Sequence, residues 1–180
     1  MMLRPSPQRL PALRAQGDLI IATLGGATVT VEPLTEKGLD AYYTRRPALL
    51  NPFKMLSKGT TKGLLAFILR IQNVGRDRVN FDPGQAWLTD QQDHRSAALS
   101  YDELYGLFSD KGESAKVLRA LEETTLTNLL VVPPKLDREG LLIFPAPDPT
   151  AKMVILEVGS FYVGSAEQLL LFEFEIRRAP

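Results

Sequence analysis

The sequence predicts an all-β fold: an antiparallel β-sandwich with Greek-key connections and a short helical insert. Three observations predict it. About eight short runs rich in β-branched, aromatic and aliphatic residues are each bounded by Pro or Gly. No strand–helix–strand rhythm accompanies them, which argues against a parallel sheet. The last run sets Leu170, Phe172, Phe174 and Ile176 against Glu173 and Glu175, the alternation of a sheet with one wet face.

Met1 to Gln16 reads as a loose N-terminal segment with three prolines, Arg4, Arg9, Arg14 and no acid, ahead of a single domain over 17–180. Asp18–Thr23 and Ala27–Val31, divided by Gly25-Gly26, form two short strands or one bent strand, which Pro33 closes. Thr35 is placed to cap a short helix reaching Tyr43, and 45–62 is a long loop broken by Pro47, Pro52 and Gly59. Gly63–Asn73 is the clearest strand, with Leu65, Phe67, Leu69 and Ile71 on the face that crosses the core. After the turn Asn73–Arg76, Arg78–Phe81 and Gln85–Asp90 continue it as a meander whose hairpin tip is Asp90–Arg95. Ser100 and Glu103 have capping-box spacing for a helix to about Phe108, and a second helix follows over 113–123, so that about 100–123 is the insert. Extended structure returns at 124–132, 139–144, 152–158 and 169–177.

With 21 basic and 21 acidic residues, the chain has no global field to attract nucleic acid. Without cysteine there is no disulfide, thiolate metal site or thiol nucleophile. No run approaches the roughly 20 apolar residues of a membrane-spanning helix or the core of a signal peptide.

Two ordered segments carry a resemblance. The first is Phe67-Ile68-Leu69-Arg70-Ile71-Gln72-Asn73-Val74-Gly75, with Val79-Asn80-Phe81-Asp82-Pro83 and Trp87-Leu88-Thr89-Asp90 after it. The second is Val132-Pro133-Pro134 with Glu139-Gly140-Leu141-Leu142-Ile143-Phe144-Pro145. Together they resemble the immunoglobulin-like β-sandwich domains of bacterial envelope lipoproteins of unknown function. The resemblance implies an immunoglobulin-like fold and a place in the periplasm or on the outer surface, with the cytoplasm as the other possibility. It assigns no functional residue. The chain departs from that pattern in lacking a lipidation cysteine, in its long 45–62 loop and in its helices.

His94 is the sole histidine, so Ser-His-Asp chemistry would have to use it, beside Asp90 or Asp93; the plainer reading is a solvated turn. Asp82, Asp90 and Asp93 lack the spacing of a calcium loop. Asp102-Glu103 and Glu122-Glu123 are adjacent acids on helices, pointing apart, and Gly25-Gly26 lacks the rest of a phosphate loop. No catalytic residue, metal ligand or cofactor site is therefore expected. The stretch Ala41–Arg76 is different: it contains no acid and interleaves bases with aromatics. Tyr42, Tyr43, Arg45, Arg46, Phe53, Lys54 and Lys58 are its candidate partner-binding residues, because Arg and aromatic side chains anchor interfaces. The same aromatics could equally cover one end of the sandwich. The expected role is a non-enzymatic protein-binding or scaffold module of the envelope, meeting a protein partner or a membrane surface. The alternative is a ligand-binding protein or a hydrolase with its site near the helical insert.

Overall fold

Strands and helices were located in a computed structural model that describes residues 1–56, 63–108 and 114–177. The strands are β1 (Met2–Pro5), β2 (Leu13–Gln16), β3 (Leu19–Thr23), β4 (Ala27–Leu34), β5 (Leu64–Asn73) and β6 (Val79–Phe81). They continue as β7 (Ala86–Asp90), β8 (Arg95–Ala97), β9 (Leu130–Val132), β10 (Asp137–Pro145), β11 (Met153–Val163) and β12 (Ala166–Arg177). The helices are α1 (Glu36–Thr44), α2 (Tyr101–Gly106) and α3 (Ser114–Thr124).

Two antiparallel sheets stack as a sandwich. The first runs β1-β12-β11-β6-β9, with β7 also on β11 and β8 on β7; the second runs β10-β5-β4-β3-β2. The predicted inward face of β5 meets the predicted inward face of β12. Phe67 lies 5.5 Å from the Phe174 ring and 5.9 Å from the Phe144 ring, at the centre of the sandwich core.

Period two explains the rest of the layering. In β5 and β10 the residues pointing away from the sandwich are also apolar: Ala66, Leu141 and Ile143 are buried under α1, α2, α3 and the 3₁₀ turn Pro52–Met55. That second cover is why Leu141-Leu142-Ile143-Phe144 reads as an unbroken apolar run rather than an alternation. The helices are thus a third layer on the second sheet, where the sequence suggested an insert. Thr35 caps α1 by accepting from Gly38 N–H at 3.1 Å, and Ser100 and Glu103 form the expected capping box. Gly140 lets α3 come down onto β10: a Cβ there would stand 2.7 Å from Leu126 Cδ2 and 3.1 Å from the Thr124 carbonyl.

Several expectations are corrected. The N-terminal segment is ordered: β1 lies along β12, β2 along β3, and Leu3 and Leu13 are buried. Between them Arg9 Nε binds the nearly buried Glu173 carboxylate at 2.7 Å, so the prolines shape the crossing instead of loosening it. Pro33 does not end β4; it pairs with Phe67 beyond the reach of β3, where its missing N–H disturbs no ladder. No β5-β6-β7 meander forms. β6 and β7 lie end to end on one side of β11, which is long enough for both: β7 faces Val154–Val158 and β6 faces Phe161–Val163. A register shift separates the two stretches. In 124–132 only Leu130–Val132 is a strand, because α3 continues to Thr124.

Candidate arginine cleft on the second sheet

The basic aromatic stretch divides into two groups of residues. Tyr42, Tyr43 and Phe53 are buried and belong to the core between helices and sheet. The Phe53 ring stands 6.2 Å from Tyr43 and 5.9 Å, edge-on, from Phe108, so the aromatics of α1, the 3₁₀ turn and the α2 region form one cluster. Tyr43 and Thr124 hydroxyls are 2.7 Å apart. Thr124 gives its own proton to the Ala120 carbonyl at 2.6 Å, which makes Tyr43 the donor in that pair. Burial pushes the Tyr43 phenol far above its ordinary value. The contact role expected of these three aromatics is therefore corrected: they hold α1 onto α3 and the sheet.

The cations of the same stretch are arranged otherwise. Arg45 and Arg46 follow the last turn of α1, where positive charge suits the helix dipole. With Tyr42 they wall a cleft of about 470 Å³ whose floor is the outer face of β4, β5 and β10, through Thr30, Glu32, Ile68, Arg70 and Glu139. Glu139 is the hub. Its Oε1 accepts from Arg46 Nη2 at 2.7 Å and its Oε2 accepts from Arg70 Nε at 2.8 Å, with Arg70 Nη2 also in contact. Register explains the second pair, since Glu139 stands opposite Arg70 on the neighbouring strand. The Arg46 guanidinium also lies 3.7 Å over the Tyr42 ring and donates to the Tyr42 carbonyl at 2.9 Å. Burial raises the Tyr42 phenol, which the nearby Arg46 charge counters. Arg45 is exposed and forms no ion pair among the described residues.

Lys54 lies away from this cleft, paired with Asp40 at 3.4 Å. Lys58 falls outside the described residues. Glu139, Thr30 and Glu32 had no place in the sequence-based site. A hint was present for the first: an acid-free stretch containing Arg70 needs a counter-ion from elsewhere, but only strand register identifies Glu139.

The other acids and His94 serve local structure. Asp90 is buried at the hairpin tip; its Oδ1 accepts from Gln92 N–H at 2.7 Å and His94 N–H at 3.1 Å, and Oδ2 stands 3.1 Å from His94 Nδ1. Burial works to raise the Asp90 carboxyl, yet these bonds together hold it below the usual range. Asp82 accepts from Gly84 N–H within its own turn. Glu103 closes the capping box, Glu122 accepts from the Tyr101 hydroxyl, and Glu123 pairs with Arg119. Gly25-Gly26 is a strand-connecting bend.

No protein-family model matches the chain, and no curated protein matches it. Among solved structures, it is similar to the yjhA protein from Bacillus subtilis, at 14% identity over 77% of each chain with a TM-score of 0.42. A likeness that distant carries no argument about this chain.

Proposed function

We propose that the chain is a non-enzymatic protein-binding module whose arginine cleft receives a carboxylate-bearing segment of its partner. One observation carries the reading. Two arginines already converge on a carboxylate at the cleft floor, and a third, Arg45, stands exposed beside them with no ion pair among the described residues. Paired guanidinium groups present planar donor forks that match carboxylates. The half-buried side chain of Ile68 on the cleft floor offers apolar contact area for the neighbouring residues of such a segment. The bacterial envelope is the proposed location, on the strength of the sequence resemblance alone.

Arg45→Glu is the cleanest test, because Arg45 has no ion pair among the described residues whereas Arg46 helps hold α1 to β10. Crosslinked capture from native cells should yield a stoichiometric partner with the wild type and lose it with the variant, at an unchanged Tm. Capture should also weaken with salt, as exposed charge pairs do. Undiminished capture by Arg45→Glu refutes the assignment of the cleft.

A hydrolase reading retains one specific observation: Asp90 and His94 share a depression of about 280 Å³ with Ser96. The imidazole has a carboxylate at Nδ1, but no bond to the Ser96 hydroxyl is formed among the described residues. Loss of a measured hydrolytic activity in His94→Ala would replace the binding reading with this one.

A further inference from the structure

The edges of a sandwich are where its backbone has unpaired N–H and C=O groups, and most edges of this one are guarded. β1 carries Arg4 and ends in Pro5, and β2 exposes Arg14 and Gln16. β8 presents Arg95, bonded to Glu157 and stacked over Trp87. The outer side of β10 is covered, since Leu99 N–H donates to the Ile143 carbonyl and Leu126 N–H to the Leu141 carbonyl.

β9 has neither the charges nor the covering bonds of these edges. Among the described residues it pairs with β6 on one side only, and Leu129-Leu130-Val131-Val132 contains no charge. Leu129 is 68% exposed and Val131 40% exposed, two residues apart. Beyond its C-terminal end the chain turns to the end of β5, where the Lys135 N–H donates to the Asn73 carbonyl and its Nζ to the Val74 carbonyl, and Val74 and Leu136 are exposed.

We propose that β9 is a self-pairing edge, through which two copies of the chain join antiparallel about a two-fold axis at Leu130. A two-fold interface is made of one patch meeting itself, so the patch must be complementary to its own copy. An uncharged aliphatic edge satisfies that condition, while the arginine-bearing edges β1, β2 and β8 would set like charges against each other. Centring on Leu130 places Leu129 of each copy opposite Val131 of the other, giving two equivalent cross-strand aliphatic pairs. It also keeps Pro133, which has no N–H to donate, outside the new ladder. Pro133 and Pro134 hold the ladder to a few residues, so the association is weak and depends on concentration. This surface shares no residue with the arginine cleft and does not depend on the reading given there.

Sedimentation velocity of the full chain from about 5 to about 500 µM tests it, because self-association follows mass action. The weight-average mass should rise from 20.0 kDa toward twice that value. Leu129→Lys and Val131→Lys should stay at 20.0 kDa throughout with an unchanged Tm. Leu169→Lys, at an exposed leucine on β12, should rise like the wild type. A wild type that remains monomeric at every concentration overturns the proposal and leaves the edge to some other chain. A dimer that survives Val131→Lys, or one that Leu169→Lys abolishes, overturns it equally.

Discussion

Tyr43 is the residue at which the two readings of the basic aromatic stretch separate, and the hydrogen-bond directions there make an asymmetric prediction. Tyr43 is 3% exposed and Thr124 1% exposed; Tyr43 donates to Thr124, and Thr124 donates to the Ala120 carbonyl. In Tyr43→Phe the Thr124 hydroxyl keeps its bond to Ala120 and loses only an incoming proton, so the cost is that of one net hydrogen bond, about 1 kcal/mol. In Thr124→Val the Tyr43 hydroxyl is left buried with a proton and nowhere to place it, and the cost rises to about 2–3 kcal/mol. The double variant removes the stranded donor and should cost less than the sum by about 1 kcal/mol or more. Urea unfolding of the four proteins measures these values. The same burial has a signature in alkali. A phenol whose folded value lies above its unfolded value of about 10 stabilises the fold fully below pH 10 and less as pH climbs beyond it, since only the unfolded state gives up the proton. Tyr43→Phe should therefore flatten the fall in stability above about pH 10. Equal costs for Tyr43→Phe and Thr124→Val, or an alkaline decline unchanged in Tyr43→Phe, would refute the assignment of Tyr43 as a buried donor holding α1 to α3.

Glu139→Gln should cost about 1–3 kcal/mol in thermal unfolding, because it strips a mostly buried carboxylate from Arg46 and Arg70, and partial exposure of both arginines limits the loss. Gly140→Ala should destabilise by about 1–3 kcal/mol, since the new methyl overlaps Leu126 and must push it away from β10; a denaturation midpoint equal to that of the wild type would contradict this. Deleting residues 1–9 removes β1, buried Leu3 and the Arg9 bond to Glu173, and should lower Tm by at least about 4–8 °C by calorimetry. For Asp90 the sign is opposite to that of Tyr43: a carboxyl held below its unfolded value of about 3.9 contributes stability above that pH and loses it as pH falls, so wild-type stability should drop below about pH 4 by more than that of Asp90→Asn.

Side-chain period, caps and breakers are local properties, and the sequence alone determined what depends on them. The alternations of Leu65–Ile71 and Leu170–Ile176 identified two core-facing strands, Thr35 and Ser100 located two helix starts, and together they implied a mainly antiparallel sandwich. Local patterns do not say which strand lies beside which, because pairing joins residues far apart in the chain and many registers satisfy one alternation. Tertiary structure decided that β6 and β7 share β11, that Met2–Pro5 pairs with β12, and that the helices form a layer over β10. It likewise decided the cleft. Arg45 and Arg46 were visible as bases in an acid-free stretch, but Glu139 becomes their neighbour only through a strand register set some ninety residues later in the chain. Tyr42, Tyr43 and Phe53 show the same limit from the other side: an aromatic can anchor a partner or fill a core, and burial by α2 and α3, elements remote in sequence, chose the core.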